Sequence, residues 1–155
     1  MLTTCLWFDT EGEEAATFYT SVFPSSKITD VARYGAGGPR PEGTVMTVAF
    51  ELDGQPFLAL NGGPQYTFSE AISFVVTCAD QEEVDRYWET LSEGGEEGPC
   101  GWLKDRFGVS WQVVPEALPR LLADPDRDRS QRVMAAMMQM KKIRIDELEQ
   151  AASLV

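Results

Sequence analysis

The sequence predicts an α+β protein made of two βαβββ modules followed by a helical C-terminal extension. Three observations lead to this fold class: two amphipathic helices with the same spacing of apolar residues, β-rich sequence after each helix, and a methionine-rich helical stretch at the end. With 155 residues, of which 43% are hydrophobic and 25% charged, the chain can bury a sizeable core. We assign the modules to 1–63 and 64–115 and the extension to 116–155.

The first predicted helix follows Thr10, and Glu13 lies three residues later, as in a capping box. Its apolar face repeats at the helical spacing and comprises Ala15, Phe18, Tyr19 and Val22. Pro24 ends this helix, because proline lacks the N–H that a continuing helix needs.

The second predicted helix follows Asp80, with Glu83 three residues later, and ends at Gly94-Gly95. Its apolar face is Val84, Tyr87, Trp88 and Leu91. This is the first face displaced by 69 positions, and at that offset Cys5-Leu6-Trp7 lies over Phe74-Val75-Val76. The shared spacing indicates an internal duplication.

Strand patterns follow each helix. In the first module they cover Lys27–Tyr34, Thr44–Leu52 and Gln55–Leu60. Asp53-Gly54 between the last two is a hairpin signal. In the second module they cover a short segment near Glu96–Cys100, then Trp102–Asp105 and Val109–Val114, with Gly108 in the turn.

The C-terminal extension lies outside the duplication. Leu118–Leu122 is a short helical segment, Asp124-Pro125 opens a longer helix, and Asp146 with Glu149 forms a further capping pair. The longer helix carries a stripe of Val133, Met134, Met137 and Met138. We interpret the stripe as core or dimer packing, with an adaptable binding surface as the alternative.

Composition excludes several function classes. The net charge of −12 argues against nucleic acid and anionic membrane surfaces as partners, because phosphate contacts need lysine and arginine. The chain has no histidine, which excludes Ser-His-Asp and Cys-His nucleophiles and histidine metal sites. No apolar run approaches the roughly 20 residues of a membrane span. Since the N-terminus also lacks a signal-peptide pattern, we expect a cytoplasmic protein.

The cysteines Cys5, Cys78 and Cys100 are odd in number and lack CxxC spacing. We therefore interpret them as buried reduced thiols.

Four segments carry a family resemblance: LWFDTEGEEAATFY, FELDGQPFLALNGGP, SFVVTCADQEEVDRYW and GWLKDRFGVSWQVVP. Together with the βαβββ repeat, they resemble the PhnB-like, demethylubiquinone methyltransferase-like branch of the vicinal oxygen chelate (glyoxalase/bleomycin-resistance/dioxygenase) superfamily. The resemblance implies a homodimer, swapped or unswapped, in which halves of two chains combine to form the pockets.

Metal-dependent members place histidine, glutamine or glutamate ligands on the first and last strands of each half. The resemblance puts those four positions at Thr4, Leu58, Ser73 and Gln112. Only Gln112 is a credible ligand, so we expect no metal at this position and no cofactor. The methyltransferase label lacks support as well, because no Gly-rich strand-to-helix turn suits S-adenosylmethionine.

Strand alternation then predicts a cavity face. If Thr4, Ser73 and Gln112 point into the cavity, Leu6, Phe8, Val75, Thr77 and Ser110 do too, while Cys5, Trp7, Phe74, Val76, Cys78, Trp111 and Val113 point toward the helices. Leu58 joins the cavity through its ligand position, and Trp102 lies at the mouth. The segment Gly62–Phe68 is a linker between the modules or an aromatic lid.

We expect a protein that binds a small apolar molecule without the standard metal site. The alternative is a lyase- or dioxygenase-like enzyme with a non-standard metal site, or with metal-free acid–base chemistry. Glu70 is the candidate base for that chemistry if burial raises its pKa. A third possibility is an interaction module that docks a partner through the methionine-rich extension.

Overall fold

The computed structural model describes residues 1–154, which divide into two compact units, Met1–Phe68 and a second that begins at Ser69. Each unit has one four-stranded mixed sheet with a helix between its first two strands. The last residue of the predicted extension, Val155, lies outside the described residues. No helix within residues 1–154 is long and apolar enough to cross a membrane.

The first unit runs β1 (Thr4–Phe8), α1 (Gly12–Val22), β2 (Lys27–Arg33), β3 (Val45–Leu52) and β4 (Gln55–Asn61). Its sheet has the strand order β1-β4-β3-β2, with β1 parallel to β4 and the other neighbours antiparallel. The β3–β4 turn is the predicted one, since Asp53 and Gly54 both have positive φ, as a type I′ hairpin requires.

The second unit begins β5 (Phe74–Cys78), α2 (Gln81–Ser92), β6 (Glu96–Glu97), β7 (Trp102–Lys104) and β8 (Ser110–Pro115). Its strand order, β5-β8-β7-β6, repeats the connectivity of the first sheet. The extension forms α3 (Ala117–Leu122), α4 (Arg127–Met137) and α5 (Ile145–Ser153). The predicted α+β class of two βαβββ modules with C-terminal helices is confirmed.

Helix α1 covers one face of the first sheet. Tyr19 stacks on Phe50 with ring centroids 6.4 Å apart, and Phe50 stacks on Phe57 at 5.4 Å. Leu6 and Phe8 lie on this same face, because Leu6 is paired with Ala59 and Phe8 with Asn61. The core of the first unit therefore contains Leu6 and Phe8 of β1, and not Cys5 and Trp7 as predicted.

The connection between strand and helix explains this difference. Three residues, 9–11, separate β1 from α1, whereas two residues, 79–80, separate β5 from α2. The helices therefore keep the offset of 69, but the strands superpose at an offset of 70. A shift of one residue moves every side chain of a strand to the opposite face. The prediction that Cys5 and Trp7 point toward the helix and Leu6 and Phe8 toward the cavity is wrong.

The two βαβββ helices are capped differently. Asp80 accepts a hydrogen bond from the N–H of Glu83 at 2.9 Å, and Glu83 accepts one from Ala79 at 2.8 Å, which confirms the predicted N-terminus of α2. The predicted Thr10–Glu13 box is wrong, because Glu11 is the N-cap and its side chain makes no capping hydrogen bond in the described chain. The side chain of Asn61 on β4 instead accepts from the N–H of Gly12 at 2.7 Å.

The extension has a core of its own, made of Leu118, Val133, Met140, Ile143 and Leu148. Of the predicted stripe, Val133 and Met137 pack into this core, while Met134 and Met138 are exposed. Asp146 lies in the first turn of α5 and not at its N-cap, which is Arg144, so the predicted capping pair is wrong.

Gln81 attaches the extension to α2. Its carboxamide donates to the carbonyl of Ile143 at 3.0 Å and accepts from the N–H of Ile145 at 2.8 Å. A side-chain amide that donates to one backbone carbonyl and accepts from one backbone N–H satisfies the same groups as a residue of a neighbouring strand would. The segment that leads into α5 is thereby fixed against the second unit.

Candidate functional site

The face of the second sheet opposite α2 carries most of the predicted site residues. On β8, Trp111 and Val113 are buried, so Ser110 and Gln112 lie on the opposite face. Register places Trp102 beside Gln112 and Lys104 beside Ser110. We call this the open face of the second sheet.

A groove of about 440 Å³ lies at one end of this face. Its lining includes three residues singled out from the sequence, Glu70, Trp102 and Ser110, together with Lys104 and Glu96. The structure thus brings together residues from the segment before β5 and from β6, β7 and β8.

Ser110 lines this groove, yet only 2% of its surface is exposed. Within residues 1–154 its Oγ has no hydrogen-bond partner. Leaving a buried hydroxyl without a partner costs about 1–3 kcal/mol, so such groups are rare in folded proteins. The unpartnered hydroxyl is the most unusual polar group of the open face.

Ser73 and Gln112 are joined directly. The carboxamide Nε2 of Gln112 donates a hydrogen bond to Ser73 Oγ at 2.9 Å. Val75 and Thr77 of β5 lie beside this pair on the open face and are exposed, as the predicted alternation of β5 requires. The pair is therefore a satisfied polar contact at the position where metal-dependent relatives are expected to carry ligands.

Glu70 forms an ion pair with Lys104. The hydrogen bond from Lys104 is the main cause that lowers the pKa of the Glu70 carboxyl, and the same contact raises the pKa of Lys104. Both side chains are substantially exposed, at 58% and 39%. Acid–base catalysis through Glu70 needs a raised pKa, and this environment has the opposite effect.

The site residues predicted in the first unit do not share a face. Thr4 is paired with Phe57, whose side chain is buried, and Leu58 is paired with Cys5. With the offset of 70, Thr3 and not Thr4 is the counterpart of Ser73, while Leu58 remains the counterpart of Gln112. Leu6 and Phe8 are core residues that are 6% and 2% exposed.

The segment Gly62–Phe68 packs on β1. Tyr66 meets Trp7 edge to face at 4.9 Å, Phe68 meets Phe8 at 5.2 Å, and the Trp7 indole donates to the carbonyl of Gly63 at 2.9 Å. A side chain at Gly62 would overlap the Trp7 ring. These contacts attach the segment to its own unit.

The residues at the expected metal positions do not fit a divalent cation. Ser73 and Gln112 offer a hydroxyl and an amide that already bond to each other, and Leu58 offers no donor atom. Among residues 1–154, no group of three or more cysteine or carboxylate side chains is placed to hold a metal ion. Such a neutral donor set would leave the charge of the ion uncompensated.

The strand-to-helix turns do not fit S-adenosylmethionine either. Glycine-rich turns let a cofactor approach the backbone at a helix N-terminus. Here the two turns are Asp9-Thr10-Glu11 and Ala79-Asp80, and the Asp80 side chain already caps α2.

The cysteines differ in environment. Cys78 is buried, whereas Cys5 is exposed and Cys100 is half-buried, so the prediction of three buried thiols is wrong for Cys5. Burial raises the pKa of the Cys78 thiol to about 12, and partial desolvation of the exposed Cys5 thiol also raises its pKa. A high pKa leaves little of the nucleophilic thiolate form.

Lys104 is the groove residue that sequence reasoning missed. Its position two residues after Trp102, on the same side of a strand, was the available signal. Its pairing with Glu70 depends on the path of an irregular segment, which no sequence period reports.

Comparison with known proteins agrees with this architecture. The model of the family described as 3-demethylubiquinone-9 3-methyltransferase matches residues 1–114. The PhnB protein from Bacillus cereus is 38% identical, covers 74% of this chain and 98% of its own, and superposes with a TM-score of 0.66.

Two more distant structures share the fold. Protein PA1353 from Pseudomonas aeruginosa is 20% identical, with coverage of 75% and 97% and a TM-score of 0.62. The fosfomycin resistance protein FosX from Mesorhizobium loti is 13% identical, with coverage of 80% and 97% and a TM-score of 0.57. A comparison with functionally curated proteins returns no match. The family model and the Bacillus relative show that the chain belongs to the PhnB-like, 3-demethylubiquinone-9 3-methyltransferase family of the vicinal oxygen chelate superfamily.

Proposed function

We propose that the protein binds a small, largely apolar molecule in the groove on the open face of the second sheet, without a metal ion. The observation that carries this proposal is the buried Ser110 hydroxyl, which has no partner in the described chain and belongs to a residue that lines the groove. A ligand that hydrogen-bonds to Ser110 would remove the cost of that unsatisfied group.

The other lining residues suit the same kind of ligand. Trp102 supplies a large apolar surface with a polar N–H, a combination that binding sites often use. Pro99 adds an apolar contact at the groove. Its volume of about 440 Å³ matches a ligand of one or two rings.

The test is a screen of small aromatic molecules by ligand-observed NMR, followed by titration calorimetry of the hits on the wild-type protein and on Ser110→Ala. We expect Ser110→Ala to weaken the hits about 5- to 20-fold, the cost of a lost hydrogen bond. Trp102→Leu should weaken the same hits. Ser21→Ala, on an exposed face of α1, is the matched control and should leave affinity unchanged.

Stability separates a binding effect from a folding effect. Because Ser110→Ala removes a buried group that lacks a partner, it should leave the free energy of unfolding unchanged or raise it by about 1 kcal/mol. Hits that bind equally well to Ser110→Ala and Trp102→Leu lie elsewhere and would refute the assignment of this groove.

The homodimer stays a proposal, with or without domain swapping. It is supported by the apolar side chains of Ile72, just before the edge strand β5, and of Val75 on that strand, which are 74% and 57% exposed. Sedimentation equilibrium of the wild-type protein and of Val75→Glu tests it: a dimer that this face stabilises should shift toward monomer in the variant.

A further inference from the structure

The donors of the groove form a pair on adjacent strands. Lys104 on β7 and Ser110 on β8 are register partners, and both side chains lie on the open face. Their Cα atoms are therefore about 4.5–5.5 Å apart. An ammonium and a hydroxyl at this separation can donate to the two oxygens of one carboxylate.

Glu70 makes only half of that arrangement. Its carboxylate pairs with Lys104, yet Ser110 remains without a partner in the described chain. We propose that the natural ligand is a small monocarboxylate with an apolar body, and that Glu70 occupies the position against Lys104 that the ligand's carboxylate takes. This inference rests on the proposed function, since it names the ligand class of the same groove.

Replacing the Glu70 carboxylate by that of the ligand costs little free energy. The side chains of Glu70 and Lys104 are 58% and 39% exposed, and ion pairs this exposed contribute little to stability. Glu70 also lies outside helix and strand, between β4 and β5, so it can turn toward water when a ligand arrives. The ligand's carboxylate gains the Ser110 hydrogen bond that Glu70 lacks.

The remaining charges limit the ligand to a single negative charge. Glu96 is the register partner of Lys104 on β6, and its charge contributes to the raised pKa of that lysine. Glu97, the next residue of β6, is turned the other way, because it pairs with the buried Leu103 and its carboxylate accepts from the Trp88 indole of α2 at 2.9 Å. A second anionic group on the ligand would meet the Glu96 carboxylate, so phosphate-like dianions are disfavoured.

Three probes of one shape and different charge test the inference: phenylacetate, phenylacetamide and 2-phenylethylamine. Their affinities are measured by calorimetry for wild type, Glu70→Gln and Lys104→Gln. Glu14→Gln, on α1 of the first unit, is the control, because it removes the same charge at an exposed position. Thermal unfolding of each variant checks that it is folded.

We expect wild type to bind phenylacetate about 5- to 20-fold more tightly than phenylacetamide, as for a charge-assisted hydrogen bond. Glu70→Gln should tighten phenylacetate by a factor of about two to five, because the internal competitor is gone. The same variant should leave phenylacetamide unchanged. Lys104→Gln should abolish the difference between the two probes, and Glu14→Gln should preserve it.

The outcomes separate this inference from the proposed function. Equal binding of phenylacetate and phenylacetamide, or tighter binding of 2-phenylethylamine, overturns the carboxylate inference but keeps a binding groove. An unchanged phenylacetate affinity in Glu70→Gln refutes the role of Glu70. If neither these probes nor the aromatic screen binds in a manner sensitive to Ser110 and Trp102, the proposed function itself fails.

Discussion

Asn61 and Gly12 lie 49 residues apart, and the side-chain oxygen of Asn61 accepts the N–H of Gly12 at 2.7 Å. The same side chain donates to the carbonyl of Val45 at 3.2 Å, and its residue is only 6% exposed. The last residue of β4 thus starts α1 and ties it to β3. The sheet itself thus provides the capping hydrogen bond that the side chain of the N-cap residue, Glu11, does not make.

Asn61→Ala should lower the free energy of unfolding by about 2–4 kcal/mol, because it removes the partner of the buried Gly12 N–H and of the half-buried Val45 carbonyl. Asp80→Ala removes the exposed cap of α2 and should cost about 1 kcal/mol. Urea unfolding followed by far-UV circular dichroism measures both. An Asn61→Ala cost no greater than that of Asp80→Ala would contradict the structural role assigned to Asn61.

Asp105 organises the β7–β8 turn from a buried position. One carboxylate oxygen accepts from the N–H groups of Phe107 and Val109, and the other accepts from the indole of Trp111 at 2.9 Å. Asp105→Ala should cost about 3–5 kcal/mol, since three donors, two of them buried, lose a charged acceptor. Asp105→Asn places an amide beside the Trp111 N–H and should be milder, and Trp111→Phe should cost less in the Asp105→Asn background than in wild type.

The measurement for Asp105 is a double-mutant cycle by urea unfolding, with near-UV circular dichroism as the signal of Trp111. Additive effects of Asp105→Asn and Trp111→Phe would show that the two side chains are not energetically coupled.

Thiol labelling should distinguish the cysteines. The pKa of about 12 for Cys78 means that about one thiol in 10,000 is ionised at pH 8, so labelling of the folded protein should be slow. Cys5 is exposed and should react first, at a rate that rises with pH because its pKa is also raised. Mass spectrometry after iodoacetamide treatment gives the order, and fast labelling of Cys78 would contradict its burial.

The Glu70 carboxyl should titrate below the ordinary glutamate range, because Lys104 stabilises its ionised form. A lowered pKa means that the ion pair stabilises the fold above the ordinary glutamate pKa and loses that contribution as pH falls through the folded value. Carbon-detected NMR of the side-chain carboxyl measures it. Lys104→Gln should return the pKa toward the ordinary value, and an unchanged pKa in this variant would exclude the ion pair as the cause.

The sequence predicted the elements well but misassigned one strand face. Helix faces repeat at a fixed offset, and their apolar spacing located α1 and α2 closely. The orientation of β1 depended on one extra residue in its turn, which the alignment of Cys5-Leu6-Trp7 with Phe74-Val75-Val76 ignored. Because strands alternate every residue, that single position reversed the roles of Leu6 and Phe8.

The site residues of the second module were placed on the same face correctly, and the reason is physical. Ser73, Ser110 and Gln112 come from adjoining strands β5 and β8 or just before them, so strand alternation alone places them together. Asn61, Gln81 and Lys104 were missed because their partners are brought close by the tertiary fold. Local periodicity carries no information about such partners.

The hydrogen bonds of Gln81 couple local unfolding at the start of α5 to that of α2. Since one carboxamide bonds to the backbone on both sides of Arg144, the first turn of α5 is held in place while α2 is formed. We expect the amide proton of Ile145 to exchange with solvent as slowly as those of α2. Gln81→Ala should accordingly speed proteolysis of the segment that leads into α5 without unfolding the second sheet.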